Sequence, residues 1–156
     1  RRRSTVPLEA IPGARRHYVN LINVIGDRWS ANLIALAFHG VRRFEVFNRE
    51  LPVATNILSG RLKRLTDAGI FRRVPYRQTP LRYEYCLTAR GEDLFALFVM
   101  LLQWGDRWCD DSGLGPPMEL IHRPCSARLH GRVCCDACGG ELRARDVVFH
   151  DVGVNV

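Results

Sequence analysis

The chain has 156 residues, 47% of them hydrophobic, and a formal net charge of +7. That hydrophobic content excludes wholesale disorder, and the longest apolar run, residues 94–102, is about half the roughly 20 residues that a membrane helix needs. The charge is divided: residues 1–91 hold 17 Lys and Arg against 6 Asp and Glu, and residues 92–156 hold 6 against 10, so a basic half suited to a polyanion precedes an acidic half with another role.

Residues 1–14, with Pro7, Pro12 and Gly13, read as an irregular arm. From 15 to 25, Tyr18, Leu21, Ile22 and Ile25 recur at three- and four-residue steps, which predicts an amphipathic helix. A second helix spans 29–38 and stops at Gly40; a third spans 42–51 and breaks at Pro52. A fourth spans 54–68 and closes at Gly69. It carries Leu58, Leu62 and Leu65 on one face and Asn56, Ser59, Gly60, Lys63 and Asp67 on the other.

Strand-like runs follow at 70–76 and 82–87, joined by a turn at 77–81. Thr88 caps a long helix that runs through about Trp104 and is apolar almost all round. Residues 110–117 form a Gly/Pro/Asp linker, and 118–156 a cysteine-bearing tail with short strand-like pieces such as 146–149. The order predicts a mainly α fold with a small β-hairpin wing (α+β). It is a winged helix-turn-helix over residues 15–109, followed by a ribbon-like tail. The arginine-rich start has no apolar core of a secretory signal behind it and no initiating Met. A cytoplasmic protein trimmed at its start, with no membrane partner, is therefore expected.

A recognition helix needs one apolar face to hold it and one slim polar face to enter the major groove. The fourth helix has both. Asn56 suits a bidentate contact to adenine and Lys63 a guanine or a phosphate, while Thr55 and Ser59 are short donors and acceptors near the helix start. Arg64 lies on the same helix. The hairpin adds Arg72, Arg73, Arg77 and Arg82, suited to phosphates or the minor groove, with Tyr76, Tyr83 and Tyr85 read as ties to the domain. Arg42 and Arg43 can hold the backbone on the other side. The long helix has more apolar surface than one small domain can cover, which points to a two-fold dimer on a pseudo-palindromic duplex site.

The run Val24-Ile25-Gly26-Asp27-Arg28-Trp29, then Arg42-Arg43-Phe44, the stretch 58–65 (LSGRLKRL) and Ala68-Gly69-Ile70, resembles the HxlR-type winged-helix regulators. The stretches 83–91 (YEYCLTARG) and 104–108 (WGDRW) continue the likeness, which covers roughly residues 16–108. The resemblance implies a homodimer built through the first and last helices, with DNA read by the fourth helix and the wing. Many members carry a reactive cysteine just before the first helix, near Arg16 here. Residues 1–85 contain no cysteine, so sensing by a thiol at that place is not expected. Cys86 reads as a packed thiol.

Four of the six cysteines fall within residues 125–138, a cluster that in a cytosolic chain suggests metal more than a disulfide framework. His122 and Cys125 form an H-x2-C pair, and Cys135 and Cys138 a C-x2-C pair nine residues on; together they can close a tetrahedral zinc site. His130 and Cys134 are neighbours that can substitute. A metal-free ribbon and a redox C-x2-C remain as other readings. An enzyme is not expected: there is no phosphate-cradling glycine loop, nucleophile elbow or placed carboxylate pair. A winged helix used for protein or RNA contacts is the competing function. A small-molecule effector can sit between the long helix and the first helix, although no constellation specifies one.

Overall fold

The computed structural model describes residues 14–110 and 113–148, with side chains from His17 onward. The arm expected at 1–14 lies outside the described residues except for Ala14. Two compact units are present, the first reaching Glu92 and the second spanning Asp93–Val148.

In the first unit, α1 (Ala14–Ile25) is followed by α2 (Arg28–Phe38), α3 (Phe44–Glu50) and α4 (Thr55–Asp67). Asp27 starts α2: its carboxylate accepts from the N–H groups of Trp29 and Ser30 at 3.1 and 3.0 Å and from the Ser30 hydroxyl at 2.6 Å. Gly40 and Gly69, with φ of +88° and +73°, end α2 and α4 in the left-handed conformation that a side chain resists. The core is Leu33 and Ile34 of α2, Phe47 of α3, Leu58, Leu62 and Leu65 of α4, and Ile70 and Phe71 beyond it, all buried.

Strands β1 (Phe71–Gln78) and β2 (Leu81–Leu87) pair antiparallel, from Phe71 opposite Leu87 to Gln78 opposite Leu81. A bulge lies between Pro75 and Arg77, and Thr79 and Pro80, joined by a cis peptide, make the turn. The turn is thus shorter than the five residues expected at 77–81. Arg43 bridges to Glu84, and Tyr85 N–H donates to the Arg42 carbonyl at 2.8 Å. Residues 42 and 43, expected as the first turn of the third helix, are therefore extended. Pairing with β2 satisfies backbone groups that a helix end would leave open.

The long helix expected from Thr88 to Trp104 is two helices, α5 (Ala89–Glu92) and α6 (Phe95–Trp108). The Thr88 hydroxyl donates to the Gly69 carbonyl at 2.5 Å and accepts from Gly91 N–H at 3.2 Å. A Cβ on Gly91 would stand 2.4 Å from the Ile70 carbonyl oxygen, so α5 is fastened to the base of the wing by a contact that only glycine allows. Helical period cannot reveal that anchorage. The arrangement is a winged helix-turn-helix.

The second unit holds α6 and a ribbon. Asp110 accepts from Gly113 and Gly115 N–H at 3.0 and 2.9 Å, so the linker is an ordered turn where it is described. Strands β3 (Ile121–His122) and β4 (Ala127–Arg128) form a short hairpin. The strand expected at 146–149 is replaced by a 3-10 turn at Ala144–Asp146 and irregular chain, with Phe149 outside the described residues. No described helix is long and apolar enough to cross a membrane.

Candidate nucleic-acid interface

Leu58, Leu62 and Leu65 hold α4 on the core, which turns its opposite face outward. Thr55, Asn56, Ser59 and Lys63 are all exposed there. Asn56 and Ser59 have no side-chain partner among the described residues. Lys63 Nζ donates to Asp67 Oδ2 one turn on, an exposed pair weak enough to be exchanged for a phosphate. The Thr55 hydroxyl lies 3.4 Å from Asn48 Oδ1 and helps close the turn between α3 and α4. Arg64 faces elsewhere: its guanidinium donates to the Asn23 carbonyl of α1. Its neighbour Arg61, which the sequence pattern does not single out, reaches Asp27 at 3.4 Å.

Asp27 thereby joins the start of α2 to α4. Partial burial pushes its carboxyl up. The Ser30 hydroxyl and N–H, Arg61 and Trp29 N–H outweigh that and hold it below the usual carboxylate range.

Two features of the outward face go beyond what the residue pattern suggests. Ile57 is 42% exposed beside Asn56; helical projection leaves it between the two faces, and only burial shows which way it falls. A Cβ on Gly60 would meet nothing within 4 Å. No packing inside the protein requires a glycine there, although mid-helix glycine costs about 1 kcal/mol relative to alanine.

The wing presents a different surface. Arg43 Nε lies 3.0 Å from Glu84 Oε1, and its guanidinium stacks 4.6 Å from the Tyr76 ring. Arg73 lies 4.9 Å from the Tyr83 ring, and Arg82 reaches Glu45 of α3 at 3.1 Å. Arg77 donates to the Thr79 carbonyl at the tip. Tyr85 packs edge-on against Phe71, and burial raises its phenol above the ordinary range against the pull of Arg73. The tyrosines thus act inside the protein, as platforms and core edge. Arg42 and Arg72 have no side-chain partner among the described residues and line one side of a shallow hollow with Cys86.

The tail brings the four candidate ligands together as two pairs. His122 Nδ1 lies 3.2 Å from Cys125 Sγ across the β3–β4 turn. Cys135 and Cys138 share a second tight turn, in which Gly139 N–H donates to the Cys135 carbonyl and Cys135 N–H to that of Gly140, both at 2.8 Å. The N–H groups of Cys138 and Ala137, with the Cys138 thiol, hold the Cys135 thiol below its ordinary range. Among the described residues, no three His, Cys, Asp or Glu side chains form a group that could hold a metal ion. The expected set does not close as a tetrahedron here, and all six cysteines are free thiols.

A family model for HxlR-like helix-turn-helix proteins matches residues 24–113. The uncharacterized HTH-type transcriptional regulator Rv3095 of Mycobacterium tuberculosis (strain ATCC 25618 / H37Rv) is 43% identical over 126 residues, covering 81% of this chain and 79% of that protein. Among solved structures, PA1607 is similar at a TM-score of 0.75 with 31% identity, covering 91% of this chain and 95% of its own. The redox regulator HypR, in its reduced form, is similar at a TM-score of 0.56 with 30% identity over 60% of this chain and 94% of its own.

Proposed function

From the premise that this chain belongs to the HxlR-like helix-turn-helix family and is a transcriptional regulator of that type, we propose that it binds double-stranded DNA sequence-specifically as a homodimer. In this reading α4 lies in the major groove and the wing lies on the backbone or in the minor groove. The observation that carries it is the outward face of α4: Asn56 and Ser59 are exposed, with no side-chain partner among the described residues, and Gly60 stands over open space. Asn56 reads adenine, Ile57 meets a thymine methyl, and the missing side chain at Gly60 lets the duplex approach the helix. Arg42, Arg72, Arg73 and Arg77 contact phosphate, and Thr55 and Lys63 support them at the groove edge. Arg43, Arg64 and Arg82 hold the protein's own elements in place, and contact DNA only by exchanging partners.

A second copy would cover apolar faces that a lone chain leaves open. Tyr18, Leu21 and Ile22 of α1 are 49%, 38% and 44% exposed at helical spacing, and α6 exposes Phe95 and Leu102. The two-fold operator follows from that symmetry. Such a binder needs no catalytic group and acts in the compartment that holds the genome.

Binding to duplex carrying the gene's own promoter, measured against random duplex across a salt series, tests the proposal. Asn56→Ala is expected to lose preference for the promoter. Arg77→Ala is expected to weaken both duplexes and flatten the salt dependence. Equal affinity of the wild type for promoter and random duplex removes the sequence-specific DNA reading in favour of protein or RNA contacts. One zinc ion per chain requires the pairs His122–Cys125 and Cys135–Cys138 to converge. Elemental analysis reads this directly, and less than about half an equivalent rules zinc out.

A further inference from the structure

Within the second unit, the loop at residues 130–133 is clamped onto α6. Gln103 Nε2 donates to the Gly131 carbonyl at 3.0 Å, and Gly131 N–H donates back to Gln103 Oε1 at 2.5 Å. A Cβ on Gly131 would stand 2.9 Å from Val99 Cγ1 and 3.2 Å from Met100 Sδ, so glycine permits the close approach. The clamp leaves a groove of about 620 Å³ beside the loop, within the size range of small-ligand sites. Its apolar lining comes from Leu97, Met100, Leu101 and Leu142 together with Trp104 and Trp108, which are 60% and 68% exposed.

Arg107 and Arg132 also line the groove, and neither has an ion-pair partner among the described residues. Glu141 lines it too. His130 lines the groove as well; with histidine counted as neutral, two arginines and one carboxylate leave the wall one formal positive charge in excess. That balance suits a monoanion better than a dianion or a cation. Indole and guanidinium planes stack on flat π-systems. We propose that this groove binds a planar aromatic monocarboxylate, its ring against Trp104 and Trp108 and its carboxylate on Arg107 and Arg132. Leu97, Met100, Leu101, Trp104 and Trp108 recur at three- and four-residue steps, on the side of α6 opposite Phe95 and Leu102. Ligand and second copy therefore use different faces of one helix. The binding claim stands without DNA; its regulatory consequence rests on the reading proposed above.

Calorimetry with 2-naphthoate as the probe tests it, using the full chain. Binding is expected in the micromolar range, with 2-naphthamide and decanoate each at least tenfold weaker. Arg107→Gln and Arg132→Gln, both at exposed positions, should each weaken naphthoate at least fivefold and leave naphthamide unchanged; Trp104→Ala should weaken both. Equal binding of naphthoate and naphthamide, unchanged binding by the double arginine variant, tighter binding of decanoate, or no heat at millimolar naphthoate would each overturn the proposal. Promoter affinity measured with and without naphthoate then reads regulation separately. A protein that binds naphthoate but no promoter keeps the site and loses the DNA-binding proposal.

Discussion

The outward face of α4 and the outward face of the wing are both polar, yet they are built differently. On α4, three buried leucines make the attachment and the exposed side chains touch little of the protein; at Gly60 even the space for a Cβ stands open. On the wing, Arg73, Arg77 and Arg82 each have a partner, as does Arg43 beside it: a carboxylate, a tyrosine ring or a backbone carbonyl; Arg72 is the exception among the described residues. The contrast separates two tasks. A side chain that must discriminate between bases needs its hydrogen-bonding groups unsatisfied until DNA arrives, because a partner within the protein would have to be broken first. An arginine that holds phosphates can be pre-positioned by exposed pairs that exchange at small cost.

The largest effect should come from removing the attachment of α4. Leu62→Ala, at a fully buried position, is expected to cost about 2–5 kcal/mol in chemical denaturation. A loss well under that range would mean that α4 is held by something other than its leucine face. Next comes Asp27, which ties the start of α2 to Arg61 of α4. Asp27→Ala should lose about 1–2 kcal/mol, as removal of a helix cap does. The folded carboxyl titrates below its ordinary value of 3.8. Its contribution is therefore present at neutral pH, down to about that ordinary value, and is lost as pH falls through the lower folded value. Melting curves from neutral pH into acid should show wild type and Asp27→Asn converging at the acid end. A difference independent of pH would contradict the ionised cap.

Gly60→Ala sharpens the comparison because its two readouts should move in opposite directions. Folding stability should rise by up to about 1 kcal/mol, while promoter affinity falls at least tenfold as the added methyl meets the duplex. A stabilised protein with unchanged affinity would take Gly60 out of the interface. The smallest effect belongs to the wing: Glu84→Gln, which removes the charge facing Arg43, should leave the melting temperature within error and change promoter affinity less than threefold. A large loss on DNA would show that the pair sets the wing's geometry.

Much of the fold and of the α4 surface is legible in the chain. Leucines at 58, 62 and 65 fall on one side of a 3.6-residue period and Asn56, Ser59 and Lys63 on the other, so the two faces of α4 follow from residue order alone. Gly40 and Gly69 mark helix ends through the backbone conformation they permit. The partners of the arginines are not legible in the same way. Arg43, Arg73 and Arg82 look alike in sequence, and their roles separate only when Glu84, Tyr83 and Glu45 are brought beside them. The same holds for the tail, where spacing marks the pairs His122–Cys125 and Cys135–Cys138 and is silent on whether they meet.

Sequence alone thus determined the helix faces, their stops, the wing's position after α4 and the division of charge along the chain. Each depends on residues a few positions apart and on backbone preferences that travel with the residue. Tertiary structure decided that Arg42 and Arg43 pair with β2 instead of opening α3, and that α5 separates from α6 at the base of the wing. It also decided that Gly131 is pinned to α6 beside Arg107 and Arg132. These outcomes turn on contacts between residues far apart in sequence. A local pattern is silent about them, because their energy exists only once the chain has closed the loop between them.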